Sequence, residues 1–461
     1  MIWIEATDEE LIAELAEHVA IPTVSRDADA ATMLAGAQWL ADRLTFAGGR
    51  IEPTAGHPVV RGDWLAAPGA PTVLIYGHYD VQPAGDPSAW TSPPFELARD
   101  GEIVRGRGVT DDKGPVFIVL KAVEALLARD GSLPLNVRFL FEGEEEIGSP
   151  HLEAWVQAHA EELAADLVIS ADGAMWRSSE PSLSVASKGM VTLDIEVTGA
   201  NRDLHSGRYG GTVANPAAVL ARILASLHGP DGAVAVEGFY DGITSLTPQR
   251  RAEIAAVRWD DEAYRADLEV PELAGEAGYT TLERLWTRPT LEIDGLTAGG
   301  KYTVIPGRAV ANLSCRLVPG QDPDRVLEAL VDHVLAQPAP GVRVAAHVDE
   351  ARVPAYTIAA DHPAIRAGQA ALSAVYPDEE VLLAVIAGSL PAATLFERSL
   401  DAKTLFFSFS TSDEKLHAPD EFLRVRRLRE GVAAWAELLR LLADGEHRLT
   451  ANRNPGPGTG A

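Results

Sequence analysis

The stretch Pro71-Thr72-Val73-Leu74-Ile75-Tyr76-Gly77-His78-Tyr79-Asp80 decides the fold. Its first part is a short apolar run, Val73, Leu74 and Ile75, and reads as a buried strand. The run ends directly on Gly77, His78 and Asp80. His78 and Asp80 are two positions apart, so in extended chain both side chains leave the same face. The carboxyl end of a strand is where α/β proteins place ligands. Imidazole binds transition metals and a nearby carboxylate can orient it, although a strand-end histidine also serves as an ordinary hydrogen-bonded residue.

Around this stretch, helical and strand patterns alternate. Residues 8–19 carry helical apolar spacing (Leu11, Ile12, Leu15, Val19), and 115–128 is an apolar run of helix length. Residues 136–141 and 166–170 are short and strand-like. The alternation predicts an α/β layer with a mostly parallel sheet. From about residue 186 the rhythm changes. Met190 to Thr198 alternates through Val191, Leu193, Ile195 and Val197. A helix over 215–227, strands over 290–293 and 309–318, a helix over 322–335 and a strand over 342–348 follow. That order, β-α-β-β-α-β, is the ferredoxin-like pattern, with an insertion over about 229–288. After Pro354 the first rhythm returns: helix 361–375, strands 381–386 and 404–409, helix 423–442. The expected architecture is a discontinuous α/β catalytic domain, 1–185 and 354–450, interrupted by an inserted ferredoxin-like domain, 186–353. The Gly- and Pro-rich end, 451–461, reads as a disordered tail.

Composition narrows the function. The chain has 461 residues, with 39 Lys and Arg against 67 Asp and Glu, a formal charge of −28. Its length fits two or three domains. An apolar fraction of 46% rules out a largely disordered chain. The acid excess argues against nucleic acid and anionic membrane partners. Cys315 is the single cysteine, so no intrachain disulfide is possible, which fits a reducing, cytoplasmic setting. No apolar run reaches membrane-spanning length, and Met1-Ile2-Trp3-Ile4-Glu5 lacks the apolar core of a secretion signal.

Four further places carry more acid, histidine or glycine than packing requires. Gly106-Arg107-Gly108-Val109-Thr110-Asp111-Asp112-Lys113-Gly114 precedes a helix, where adjacent acids also serve as caps. Phe141-Glu142-Gly143-Glu144-Glu145-Glu146-Ile147-Gly148-Ser149 follows a strand and packs four acids into five positions. Their repulsion calls for a cation or for full solvation. Ser170-Ala171-Asp172-Gly173 ends another apolar run, and Leu416-His417-Ala418-Pro419-Asp420-Glu421 follows the strand near Phe409. Mixed nitrogen and oxygen ligands at several strand ends suit divalent ions, and an acid between two ions can bridge them.

In this order the motifs resemble the M20 metallopeptidases: His78-x-Asp80, Gly108-x-x-Asp111-Asp112-Lys113-Gly114, Glu145-Glu146-x-Gly148-Ser149, Asp172 and His417. Carnosinase-like and cytosolic nonspecific dipeptidases belong to that family, and the likeness runs from about Leu11 to Leu441. The resemblance implies two divalent ions per subunit, zinc ahead of manganese or cobalt. His78 and Asp172 would ligate one ion, Glu146 and His417 the other, and Asp111 both, with a cis peptide after Asp111. Asp80 would orient the histidine ligand and Glu145 would act as general base. In the inserted domain, Arg202-Asp203-Leu204-His205-Ser206-Gly207 resembles the segment whose histidine reaches a partner subunit's oxyanion. This implies a lid and dimerisation role for that domain and a homodimer. Thr303, Arg316, Gly388 and Ser389 match substrate-contacting positions, with Arg316 suited to a carboxylate. Ala387 stands where relatives carry the first glycine of their substrate loop.

The implied function is metal-dependent hydrolysis of dipeptides or short peptides. Residues 78–84, 303–306 and the 229–288 insertion favour it over an N-acyl-amino-acid deacylase. A catalytically silent binding protein on the same fold would lack ligands or base, and all of these are present.

Overall fold

Two different apolar rhythms produce two compact units. A computed structural model describes residues 6–300, 302–349, 352–443 and 447–449. The expectations for Met1 to Glu5 and for the 451–461 tail lie outside the described residues. One unit comprises Met1–Val185, Ile358–Ala384 and Leu395–Ala461; the other comprises Ala186–Thr357 and Val385–Thr394. The second boundary thus falls after Thr357 rather than at 353, and the second unit also takes in Val385–Thr394, which the sequence reading gives to the catalytic domain.

The first unit is built on the strand Thr72–His78, in which every residue after Thr72 is buried. Burial on both faces is what a continuous apolar run produces. This strand pairs in parallel with Asn136–Glu142, Thr72 opposite Asn136 and His78 opposite Glu142. On its other side it pairs in parallel with Leu167–Ser170, and that strand in turn with Thr404–Phe406. Outside these four, Val59–Trp64 and Arg50–Glu52 continue the sheet on one side and Ser182–Ser187 on the other, all antiparallel. The sheet is therefore parallel only at its centre, a correction to the mostly parallel expectation. The parallel register brings the carboxyl ends of four strands, distant in sequence, to one edge.

Helix Lys113–Asp130 packs on this layer and against Val425–Ala443. Its face from Lys113 to Leu120 is wholly buried, as its apolar sequence requires. The terminal helix starts at Val425 rather than 423. Phe422–Arg424 is instead a short strand, Leu423 opposite Val104 in Ile103–Arg105. The 404–409 strand stops at Phe406.

The second unit contains a four-stranded antiparallel sheet in the spatial order Thr290–Ala298, Arg308–Leu317, Gly189–Thr198, Arg343–Val348. Gly189–Thr198 alternates buried and partly buried residues along its length, as its period-two pattern demands. Helices Pro216–Ala225 and Pro323–Ala336 pack against these strands. Each opens on proline and is capped: Asn215 Oδ1 accepts from Ala217 N at 2.9 Å, and Asp322 Oδ1 from Asp324 N at 2.9 Å. The core between helices and sheet holds Ile195, Val197, Leu220, Ile223, Leu327 and Leu330, each contributing about 1.5–3 kcal/mol by burial. Cys315 belongs to this core, and burial pushes its thiol up to about 12, so it behaves as a small apolar residue. The 229–288 insertion carries short helices Pro248–Ala256, Asp261–Asp267 and Thr281–Thr287. Among the described residues no helix is long and apolar enough to cross a membrane.

Candidate metal centre

The strand Thr72–His78 delivers His78 to the carboxyl edge of the sheet with no exposed surface. Gly77 makes that delivery possible: a Cβ there would lie 2.6 Å from Val116 Cγ2 and 2.7 Å from Asp112 Oδ2. Without it, the start of helix Lys113–Asp130 can approach the strand closely, and Asp112 Oδ2 accepts from His78 N at 3.2 Å. The loop before this helix presents Asp111, and the Asp111–Asp112 peptide is cis. The two oxygens of Asp111 face two different imidazoles. His78 Nε2 is 3.1 Å from Oδ1, and His417 Nε2 is 3.0 Å from Oδ2.

Two ligand groups therefore share Asp111. In one, atoms of His78, Asp111 and Asp172 lie within 4.8 Å of one another; in the other, atoms of Asp111, Glu146 and His417 do. Metal to ligand bonds of about 2 Å bring ligand atoms to roughly 3–4 Å separation. This donor set, one imidazole and two carboxylates in each group, fits a pair of divalent ions. His417 Nε2 also lies 3.2 Å from Glu146 Oε2, and His417 has a left-handed φ of 59°. Histidine is among the residues that tolerate that conformation.

Charge in the site is concentrated. Burial opposes a proton on His78, yet hydrogen bonds to Asp111 and Asp80 outweigh it and hold the imidazole well above its ordinary range. Hydrogen bonds to Asp111 and Glu146 raise His417 to about 10. Asp172 is pushed up to about 6, by burial and then by Asp111 and Glu146 against the pull of His78. Protons on the two imidazoles and divalent ions are thus alternative ways of neutralising the same acids.

The four acids at the end of the strand Asn136–Glu142 and just after it have separate destinations. Glu142 turns inward, accepting from Tyr76 Oη at 2.6 Å and Ser149 Oγ at 2.9 Å, and burial pushes it up to about 7. Glu144 pairs with His151 Nδ1 at 2.8 Å and accepts from His57 N. Glu145 and Glu146 open a 3₁₀ turn, Glu145–Ile147. Asp80 fixes that turn: its oxygens accept from Glu145 N at 3.2 Å and Glu146 N at 3.0 Å, and Oδ1 lies 3.4 Å from His78 Nδ1. Burial drives the Glu145 carboxyl well above its ordinary range, with His78 pulling it back and Asp172, Asp111 and Glu146 adding to the rise.

All seven residues expected at the metal site and its base therefore sit in the first unit, and the five expected ligands fall into two groups that share Asp111. The substrate candidates belong to the second unit. His205 and Thr303 are neighbours: Leu204–His205 pairs with Val304–Ile305, and Ser206 N donates to Thr303 O at 3.0 Å. The His205 ring is exposed, its Nδ1 accepting from Gly207 N. Arg316 Nη1 donates to Ser389 Oγ at 3.0 Å, and the adjoining Gly388 O accepts from Lys188 N at 3.0 Å.

Sequence reasoning missed Gln82. Its backbone N and its side-chain amide hold the Glu146 carboxylate, Nε2 at 2.9 Å from Oε2. The signal was an amide two residues beyond Asp80 in the same strand-end loop. It also gave no role to Glu421, considered below.

Comparisons with known proteins converge on one family. The pattern of peptidase family M20/M25/M40 matches residues 74–441. The Cys-Gly metallodipeptidase dug1 of Schizosaccharomyces pombe is 29% identical over 95% of this chain and 97% of that protein. The human Beta-Ala-His dipeptidase is 34% identical over 60% of this chain and 56% of its own length. Among solved structures, the M20 family metallo-carboxypeptidase Sso-CP2 from Sulfolobus solfataricus superposes with a TM-score of 0.81 at 30% identity, covering 94% of this chain and 99% of that one. The di-peptidase Dug1p from Saccharomyces cerevisiae superposes with a TM-score of 0.77 at 26% identity, covering 95% of this chain and 96% of its own.

Proposed function

The chain belongs to peptidase family M20/M25/M40, and from that premise we propose that it hydrolyses the peptide bond of dipeptides and short peptides with two divalent ions per subunit. The observation that carries the reading is Asp111, whose two oxygens each face a different imidazole in two ligand groups. His78, Asp111 and Asp172 would hold one ion, and Asp111, Glu146 and His417 the other, with zinc preferred over manganese or cobalt. When bound, such ions supply Lewis acidity, acidifying water and polarising a carbonyl oxygen.

The remaining work falls to the chain's own groups. Glu145 takes a proton from the attacking water and returns it to the leaving amine. Asp80 holds the backbone of Glu145 and Glu146 and the Nδ1 side of His78, so one carboxylate orients both base and ligand. Arg316, with Ser389 beside it, grips the free carboxylate of the substrate's C-terminal residue. We assign the oxyanion to His205 acting from a second copy of the chain, which makes the enzyme a homodimer through the second unit, acting as a lid. A single buried cysteine favours the cytoplasm.

The test is a substrate panel with metal reconstitution. Chelated protein should lose activity and regain it with zinc, manganese or cobalt. Unblocked dipeptides should be cleaved in preference to N-acetyl and N-succinyl amino acids. Preference for the acylated compounds would make the enzyme a deacylase, and metal-independent turnover would overturn the reading altogether.

A further inference from the structure

One buried acid beside the ligand groups has no part in the chemistry above. Glu421 follows His417 by four residues, is wholly buried, and carries four donors on its two carboxylate oxygens. Oε2 accepts from Arg107 Nη1 at 2.7 Å and Gly108 N at 2.9 Å. Oε1 accepts from Thr110 N at 3.0 Å and Asp111 N at 3.2 Å. Its backbone O accepts from Gly106 N. Nearby, Glu414 accepts from Thr110 Oγ1 at 2.6 Å, and Ser410 Oγ donates to Thr110 O at 2.6 Å.

The main chain of residues 106–111 is thus held from the segment 410–421, the same segment that carries His417. This loop has no sheet or helix ladder of its own from Gly106 to Asp112. Without Glu421, three of its N–H groups would be buried without an acceptor. Arg107 extends the connection to Pro83 O at 3.3 Å, in the loop that follows His78 and Asp80. One carboxylate therefore ties together the loops that present His78, Asp111 and His417.

We infer that Glu421 is a positioning residue: it sets Asp111 at the distance from His78 and His417 that lets its two oxygens serve two ions at once. The inference rests on the two-ion reading given above. A glutamine at 421 would offer one acceptor oxygen and one amide. Whichever way it turned, the amide would meet two donors, so the loop would lose half its anchors. Aspartate would keep the charge but fall one methylene short.

The test uses the full chain, stripped of metal and titrated with manganese against a chelating dye. Burial pushes the Glu421 carboxyl up to about 7, so the titration is run at pH 8. Wild type should take up two ions. Glu421→Gln should keep one and bind the second roughly 10- to 100-fold more weakly. Its kcat should fall in step, KM should stay near wild type, and excess manganese should restore kcat. Glu162→Gln, which removes a partner of the buried Arg61, serves as the comparison, since loss of stability alone should leave both affinities unchanged. If Glu421→Gln does not fold, Glu421→Asp decides by the same titration. A folded variant holding both ions at wild-type affinity overturns the inference. A wild-type chain taking up fewer than two ions overturns the two-ion reading and this inference with it.

Discussion

Four neighbouring acids show how little spacing says about direction. Glu142, Glu144, Glu145 and Glu146 lie within five positions at one strand end, yet they end at Tyr76, at His151, and at the Asp80-held turn. The repulsion evident in the sequence is relieved by separate partners for the first two, which leaves the last two for the site. Glu145 is the residue on which the proposed chemistry depends most. Glu145→Gln should lower kcat by about 10²- to 10⁴-fold, the usual contribution of a general base, while metal content measured by elemental analysis stays at the wild-type ratio. Activity near wild type would remove Glu145 from the mechanism. The residue types of the site were legible because five motifs, each weak alone, together carry histidine and acids in the order of the M20 metallopeptidases. Their partners were not, because Asp80 and Glu145 are 65 positions apart and meet only through the sheet register.

At the level of elements, apolar periodicity located the central strands and the buried helix, and erred at their ends. The 404–409 run stops pairing at Phe406, and Phe422–Arg424 leaves the terminal helix to pair with Ile103–Arg105. Edge pairing of this kind depends on a partner some 320 positions away, which no local pattern reports. The join between loop and helix at Gly114 is a tight fit: a Cβ there would lie 2.0 Å from Val109 O and 3.0 Å from Leu423 Cδ2. Gly114→Ala should therefore push the Asp111 loop off its helix and cost about 1–3 kcal/mol. A lowered thermal unfolding midpoint and weaker metal uptake would show it. Unchanged values for both would mean that the loop moves freely there.

For the whole molecule, the charge of −28 keeps its plainest meaning, a solvated acidic surface. Asp80, Asp111, Glu145, Glu146 and Asp172 are the handful that gather in one place. A buried cation gives a measurable pH signature for global stability. Lys188 in the second unit is 3% exposed and donates to Arg288 O at 2.8 Å. Burial, then the charge of Arg316, lower it from 10.5 to about 8. Below pH 8 both folded and unfolded chains carry this proton, so the cost of burying the charge is present in full. Between pH 8 and 10.5 the unfolded chain binds a proton that the folded chain does not, so stability contributed by this group rises with pH. From pH 8 to 10 the wild type should gain roughly 1–2 kcal/mol relative to Lys188→Met, read from urea unfolding of both. Parallel pH profiles would show that Lys188 keeps an ordinary proton affinity in the fold.

By itself the sequence determined the alternation of strand and helix, the change of rhythm near residue 186, and the chemical kind of each ligand, because apolar spacing and residue type act locally. The tertiary structure alone decided which acids face the two imidazoles and which turn away. That choice rests on parallel pairing of Thr72–His78 with strands about 64 and 94 positions downstream, and on one buried carboxylate, Glu421, which satisfies backbone N–H groups more than 300 positions earlier in the chain.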